Sequence, residues 1–203
     1  MITINPDTQT EQDNYKLLIG SIIPRPIALV TTLSTDNVVN AAPFSYFSIV
    51  SSDPPMVSLA VQRKQGVMKD TARNAIATGS FVVHTVDESN VERVNQAAAN
   101  LPPDESEIET VGFTLLPSSR IPVPGVQEAK IRMECVLERA IQLGGTAERP
   151  ATDLLIGRVV LFHMSEAVYD HGYVSADGLR PISRLAGIDY ARLGDTFQLA
   201  RPN

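Results

Sequence analysis

The sequence contains few of the residues that form disulfides or bind transition metals. Cysteine occurs once, at Cys135, and histidine occurs at three positions, His84, His163 and His171. A single cysteine cannot form a disulfide within the chain, and these four residues do not have the spacing of a zinc site. We therefore expect no metal ligands and no internal disulfide, which fits a reducing compartment.

Basic residues and long apolar runs are also scarce. The chain has 17 Lys and Arg against 23 Asp and Glu, which gives a net charge of −6. A nucleic-acid partner requires a basic face, so we expect none. The first residues lack the basic and apolar regions of a signal peptide, and no apolar run is long enough to span a bilayer. The expected location is the cytoplasm, with no membrane association.

Several sequence motifs of common active sites are missing. The chain has no GxGxxG after a strand, no GxxxxGK[ST] and no GxSxG. Glu105 and Glu107 lie in an acidic stretch, residues 102–109, which we interpret as an exposed loop with solvated carboxylates. If the protein is an enzyme, a bound organic cofactor is then the expected source of reactivity.

Most segments have the composition of strands, and 14 prolines with 12 glycines favour many short elements. Pro43 indicates an edge, a bulge or a break, because proline donates no ladder hydrogen bond. Alternation in residues 130–138 predicts a half-buried antiparallel strand with Cys135 on its apolar face, as a buried structural thiol. Residues 154–168 form one or two buried strands. The predicted strands cover residues 25–32, 38–50, 56–62, 81–86, 130–138 and 154–168.

Two short helices are predicted between the strands. Residues 69–78 form one, with Asp70 or Thr71 as N-cap, and it stops before Gly79. Ser89 and Glu92 have the spacing of a capping box for a second helix that reaches about Asn100. The fold class is therefore mainly β, and a closed barrel would remove the many sheet edges.

Three segments are candidates for holding a ligand. Residues 40–45 (NAAPFS) combine small residues, a proline and hydrogen-bonding groups, which suits a flat polar heterocycle or an ordinary bulged strand. Arg63, Lys69 and Thr71 flank a helix N-terminus that would suit a phosphate, although composition alone favours simple capping by Asp70 or Thr71 with Arg63 and Lys69 solvated. The tail, residues 181–202, fits a barrel mouth, a second subunit or a surface lid.

With these segments in order, the chain resembles the flavin-reductase-like family of FMN-binding split β-barrels. The resemblance runs from about Tyr15 to Pro202 and is carried by RPIALVTT, NAAPFSYFSIVSSDPP, KDTARNAIATGSFVVHTV, GRVVLFHMSEAVY and SRLAGIDYARLGDTFQLARP. It implies a six-stranded antiparallel split barrel of Greek-key character with small peripheral helices, as one domain over residues 1–203. Residues 1–14 would be an N-terminal arm, and residues 175–203 a tail packed on the barrel or on a partner subunit.

The resemblance also implies a homodimer that holds FMN near the dimer interface, together with the residues that contact it. Residues 40–45 would line the ring and ribityl chain, the 5′-phosphate would meet Arg63, Lys69 and Thr71, and Arg25 and Thr32 would be secondary contacts. His163 is the candidate near the flavin edge, although a lone histidine at a strand end is more often a core or rim residue. Tyr190 would reach the site or the partner. The cofactor-binding set is Arg25, Thr32, Asn40, Ala42, Pro43, Phe44, Ser45, Arg63, Lys69 and Thr71.

The implied activity is that of an NAD(P)H:flavin oxidoreductase. A nicotinamide, NADH or NADPH, would pass a hydride to the flavin, and the electrons would continue to an oxygenase or another acceptor. Two alternatives stay open. The first is an FMN-binding electron carrier without NAD(P)H activity, and the second is a flavin-free split barrel that acts as a binding or structural dimer.

Overall fold

The computed structural model describes residues 1–99, 102 and 105–202. The helices are α1 (Glu11–Ser21), α2 (Asp70–Thr78), α3 (Val91–Gln96), α4 (Glu107–Val111) and α5 (Ala176–Leu179), with a 3-10 turn at Pro6–Thr8. The strands are β1 (Arg25–Pro26), β2 (Ala28–Leu33), β3 (Val39–Phe44), β4 (Phe47–Ser52), β5 (Pro55–Gln62), β6 (Ser80–Thr85), β7 (Leu115–Leu116), β8 (Gly125–Val126), β9 (Ile131–Leu143), β10 (Thr152–Met164), β11 (Tyr169–Asp170), β12 (Tyr173–Val174), β13 (Ile182–Arg184) and β14 (Tyr190–Arg192).

The main sheet is antiparallel and has the strand order β3-β2-β6-β9-β10-β5-β4. All seven strands contribute to one apolar cluster, so the sheet curls around this core as a split barrel, and helix α2 packs on it. The strand contributions are Val30, Phe44, Phe47, Leu59, Phe81, Cys135 and Leu155. The mainly β, antiparallel split-barrel prediction is confirmed.

The main sheet has seven strands, whereas six were expected. Residues 38–50 were predicted as one extended segment, but the chain turns at Ser45 and Tyr46. Strand β3 then pairs with β2, and β4 pairs with β5 at the opposite edge of the sheet. Residues 154–168, by contrast, contribute to a single long strand, β10.

Part of the C-terminal tail forms strands beside the barrel, whereas residues 193–202 are exposed. The tail forms β13, which pairs with β1, and β14, which pairs with β13. Tyr190 in β14 donates its hydroxyl hydrogen to Asn95 at 2.8 Å. Helix α1, which the sequence analysis did not predict, begins inside the expected N-terminal arm.

The local helix predictions hold for where the helices begin but not for their capping, and α3 ends at Gln96, earlier than predicted. Helix α2 ends before Gly79, whose φ is +72°, but its N-cap is Lys69 and no side chain caps it. Helix α3 begins at Val91, and the Ser89 hydroxyl bonds Asp87 instead of forming a capping box. The predicted end of this helix, Asn100, lies outside the described residues.

The carboxylates of Glu134 and Glu107 are both buried, and Glu107 was expected in solvent. Strand β9 does direct Cys135 into the core, and burial raises the pKa of this thiol to about 12. On the opposite face of β9, however, Glu134 is fully buried, because the backbone N–H groups of Ser119 and Arg120 cover it at 2.7 Å each. In the predicted acidic loop, Glu107 is buried at the start of α4, although Glu105 is exposed.

Candidate functional site

Two adjoining cavities form a groove along the edge strand β3. The larger has a volume of about 450 Å³ and is bounded by β3, by the start of α2 and by Ala97–Ala99 after α3. The smaller, about 150 Å³, is bounded by α1, β1 and the segment after β13. They share Pro43, Phe44 and Lys69, so they are two parts of one groove. The larger part lies within the roughly 300–1,000 Å³ usual for small-molecule sites.

Strand β3 presents a free edge to this groove. Ala41 N–H points away from β2, since it donates to Glu107 Oε2 at 3.0 Å. Pro43, two residues later in the strand, faces the same side as Ala41. Because proline has no backbone N–H, it leaves no unpaired donor at this edge. In an antiparallel strand the N–H and C=O of one residue point the same way, so the carbonyl of Pro43, which lines the groove, also faces outward. The edge therefore offers a backbone hydrogen-bond acceptor beside the apolar side chains of Pro43 and Phe44.

The N-terminus of α2, on the other wall of the groove, supplies hydrogen-bond donors and positive charge. This helix of nine residues has no side-chain cap, and its first backbone bond is from Arg73 N to Lys69 O. The N–H groups of Asp70 and Thr71, which line the cavity, have no acceptor within the helix and can face a ligand. Lys64, Lys69 and Arg73 line the same cavity, with Asp70 paired to Arg73. Free N–H groups, the helix dipole and these cations together make an anion site.

A network of buried polar groups joins the two walls. Asn40 Nδ2 donates to both oxygens of Glu107, at 2.9 and 3.0 Å. Asn40 Oδ1 accepts from the Thr71 hydroxyl at 3.0 Å and from the Thr32 hydroxyl at 3.3 Å. The amide of Asn40 thus has all its hydrogen-bonding groups engaged within the protein. Burial raises the pKa of Glu107, and the bonds from Ala41 and Asn40 oppose that shift.

The groove brings together most of the residues expected to bind a cofactor. Eight of them line it: Arg25, Asn40, Ala42, Pro43, Phe44, Ser45, Lys69 and Thr71. Thr32 does not line it and is fully buried in β2 behind Asn40. Arg63 does not line it either. Its Nε and Nη2 donate to the carboxylate of Asp153 at 2.9 and 2.7 Å.

Arg25 is largely occupied by backbone contacts. Its Nη1 donates to the carbonyls of Ile19 and Ile22 at 2.6 Å each, and its Nη2 donates to Leu185 at 2.8 Å. Its Nε lies 3.5 Å from Ser45 Oγ. Arg25 therefore joins α1, β1 and the C-terminal segment around the smaller cavity, which makes it a support of the groove wall.

His163 lies at the far end of β10 from the groove. Thr152 at the start of β10 pairs with Gln62, which lines the smaller cavity. His163 follows eleven residues later, which is roughly 35 Å along an extended strand. Its Nε2 bonds the buried carboxylate of Glu134 at 2.6 Å. Although burial opposes it, the bonds from Ser119, His163 and Arg120 lower the pKa of Glu134. Within one chain, the structure does not bring His163 to the groove.

The sequence analysis did not identify several wall residues. Arg73 is one helical turn after Lys69, so its position on the same face of α2 could have been inferred from helical spacing. Lys64 and Glu107 carried no such signal, because their places depend on how the loop before α2 and helix α4 pack against β3. Tyr15 and Ile19 of α1 also reach the smaller cavity.

Over residues 1–99, 102 and 105–202, no group of three or more His, Cys, Asp or Glu side chains could hold a metal ion. Among these same residues no helix has the length and apolarity to cross a membrane.

Known proteins with similar sequences and structures identify the family. Residues 19–182 match the flavin reductase like domain family. Nitrilotriacetate monooxygenase component B from Bacillus cereus is 62% identical, and its crystal structure superposes with a TM-score of 0.97 over 98% of both chains. The structure of 2-nitrobenzoate 2-nitroreductase NbaA from Pseudomonas fluorescens is 35% identical, with a TM-score of 0.88 over 99% of this chain and 96% of that one. The protein YwrF of Bacillus subtilis is 51% identical over 205 residues, which covers 100% of both sequences.

The split barrel, the groove at the edge of β3 and the match over residues 19–182 lead to one conclusion. The chain belongs to the flavin reductase like domain family.

Proposed function

We propose that this protein binds FMN in the groove and transfers electrons from a nicotinamide dinucleotide to the flavin. The observation that carries the proposal is the uncapped N-terminus of α2, with Lys64, Lys69 and Arg73 around it, next to the free backbone edge of β3 at Pro43. This arrangement pairs an anion site with a wall suited to a flat heterocycle, and FMN contains both groups.

The residues of the groove fit both the phosphate end and the ring end of FMN. The 5′-phosphate would be held by the N–H groups of Asp70 and Thr71 and by Lys69, with Lys64 and Arg73 contributing charge. The ring would lie against Ala42, Pro43 and Phe44, where the outward carbonyl of Pro43 would accept a hydrogen bond from a ring N–H. Asn40, Arg25 and Arg63 would then support the wall, since their polar groups bind other parts of the protein.

Bound FMN would supply the chemistry of the reaction, which is hydride acceptance from the nicotinamide and electron release to an acceptor. The protein's contribution is binding, orientation and partial exclusion of water, because no wall residue is required to take a proton in hydride transfer. We assign no catalytic role to His163 within one chain. The choice between NADH and NADPH depends on contacts of the dinucleotide outside the nicotinamide ring.

The test of this proposal is the visible absorption spectrum of the purified protein reconstituted with FMN, followed by anaerobic additions of NADH and NADPH. Flavin bands that bleach with either donor support the reductase. Bands that persist with both donors would favour an electron carrier. A protein that does not bind added FMN would refute the flavin site itself.

An oxygenase is the electron acceptor that we propose first. The support is the 62% identical structure, which belongs to a protein described as a monooxygenase component. A nitroaromatic acceptor is the second candidate, because the 35% identical structure belongs to a nitroreductase. Direct nitrobenzoate reduction by the FMN-loaded protein with NAD(P)H, measured without any oxygenase, separates these two candidates.

We also propose that the protein is a homodimer. Ile49 and Val50 of the edge strand β4 are 81% and 48% exposed, which is unusual for adjacent apolar side chains at a sheet edge. Sedimentation at micromolar concentration should give the mass of two chains. A single-chain mass would contradict the dimer.

A further inference from the structure

Glu107 is a buried carboxylate in the groove wall that is held by neutral donors. It is 6% exposed and lies at the first position of α4. Three bonds reach it: two from Asn40 Nδ2 and one from Ala41 N–H, at 2.9 to 3.0 Å. Within the described part of the chain, no Lys, Arg or His side chain forms an ion pair with it.

The N–H contacts from Asn40 and Ala41 favour the ionised form of Glu107. An ionised carboxylate only accepts hydrogen bonds, so Glu107 determines which way the Asn40 amide faces. The NH₂ group of Asn40 must point to Glu107, and its carbonyl oxygen Oδ1 must point to Thr71. Since Oδ1 is only an acceptor, the Thr71 hydroxyl has to give its hydrogen to Asn40 across the 3.0 Å contact. Only the lone pairs of Thr71 Oγ1 then remain for a ligand.

We propose that Glu107 is a positioning residue that makes Thr71 Oγ1 an acceptor toward the groove and so selects a ligand with a hydroxyl donor at that point. The ribityl chain of a flavin carries such hydroxyls, between the ring and the phosphate. A dianionic phosphate cannot donate to Thr71, so this side chain recognises the polyol while the backbone of α2 recognises the phosphate. This inference rests on the proposed function and extends it to one feature of the ligand.

Variants that exchange the carboxylate of Glu107 and the amide of Asn40 test the direction of the hydrogen bonds between Glu107, Asn40 and Thr71. In the variant Glu107→Gln, the amide oxygen stays with Ala41 N–H and the new NH₂ replaces Oε1 opposite the NH₂ of Asn40, which favours a flipped Asn40 with its own NH₂ toward Thr71. In Asn40→Asp, two carboxylates face each other. The double variant Asn40→Asp with Glu107→Gln restores an acceptor toward Thr71, keeps an oxygen for Ala41 N–H, and retains the net charge.

The measurement is the dissociation constant of FMN and of riboflavin for the wild-type protein and the three variants, by flavin fluorescence. Glu107→Gln should weaken both ligands by about tenfold, the size of one reversed hydrogen bond, and Asn40→Asp should weaken them by a similar factor because two buried carboxylates repel each other in the groove wall. The double variant should bind both within about threefold of the wild type. Equal losses for FMN and riboflavin are expected, because both carry the ribityl chain. Glu105→Gln, which removes the same charge from an exposed neighbour, should change neither constant.

Independent effects of the two changes, with about hundredfold weaker binding in the double variant, would overturn the inference. A loss confined to FMN would also overturn it, since Glu107 would then act on the phosphate. If the single variants do not fold, the double variant alone decides, by its affinity relative to wild type. A wild-type protein that binds neither flavin refutes the proposed function, and the inference with it. A wild type that binds both, without rescue, refutes the inference alone.

Discussion

Replacement of Lys69 by alanine should weaken FMN binding much more than riboflavin binding. Lys69 is the N-cap of α2 and lines both parts of the groove, next to the backbone N–H groups of Asp70 and Thr71, which have no acceptor within the helix. A charge-assisted hydrogen bond contributes about 1.5–3 kcal/mol. Because Lys69 is exposed and therefore screened, we expect the lower end of that range, about 1.5 kcal/mol, or roughly tenfold in dissociation constant.

The assay is titration of the apoprotein with each flavin at low and at high salt. The FMN constant should rise about tenfold in Lys69→Ala at low salt and by less at high salt, whereas the riboflavin constant should hardly change. Arg139→Ala serves as the control, because Arg139 is exposed on β9, away from the groove lining, and its loss changes the net charge equally. An unchanged FMN constant, or equal losses for FMN and riboflavin, would show that Lys69 does not contact the phosphate.

Three further predictions concern stability. Burial lowers the pKa of His84 from 6.5 to about 4, so between these pH values His84 is protonated in the unfolded chain but neutral in the folded chain. The free energy of unfolding should therefore fall by about 3 kcal/mol as the pH is lowered from 7 through this window. Urea unfolding at pH 7 and 4 should show this loss in wild type and in His171→Gln but not in His84→Gln, and equal losses in all three would contradict the assignment. In Gly157→Ala the new Cβ would lie 2.3 Å from the ring of Phe81. Overpacking should lower the free energy of unfolding by about 1–3 kcal/mol, and an unchanged urea midpoint would refute that contact. Arg25→Met removes three backbone contacts of a buried guanidinium. It should cost about 3 kcal/mol in urea unfolding, whereas a loss under 1 kcal/mol would mean that these carbonyls find other donors.

Local patterns predicted the parts of the fold that depend on neighbouring residues. Alternation in β9 placed Cys135 in the core, and Gly79 marked the end of α2 through its left-handed backbone. Pro43 indicated an edge position, and β3 is indeed an edge strand of the main sheet. Each of these signals follows from the period of the element or from the backbone freedom of one residue.

The arrangement of the groove was only partly accessible from sequence. The segments 40–45 and 69–71 could be recognised as candidates, and the groove brings both together. The partners of the other polar side chains could not be recognised, because they are far apart in the chain. Arg63 binds Asp153, 90 residues away, and Arg25 binds the carbonyl of Leu185, 160 residues away.

The sequence by itself therefore determined the strand-dominated fold, the buried thiol and the two segments that form the walls of the groove. The tertiary structure decided which polar groups remain free to bind a ligand. In the folded chain Asn40 is hydrogen-bonded to Glu107, and the first N–H groups of α2 have no acceptor within the helix. His163 lies away from the groove, at the other end of β10. The physical reason is that periodicity and turn preference act over a few residues, whereas the satisfaction of a buried polar group depends on whichever strand or helix the fold brings against it.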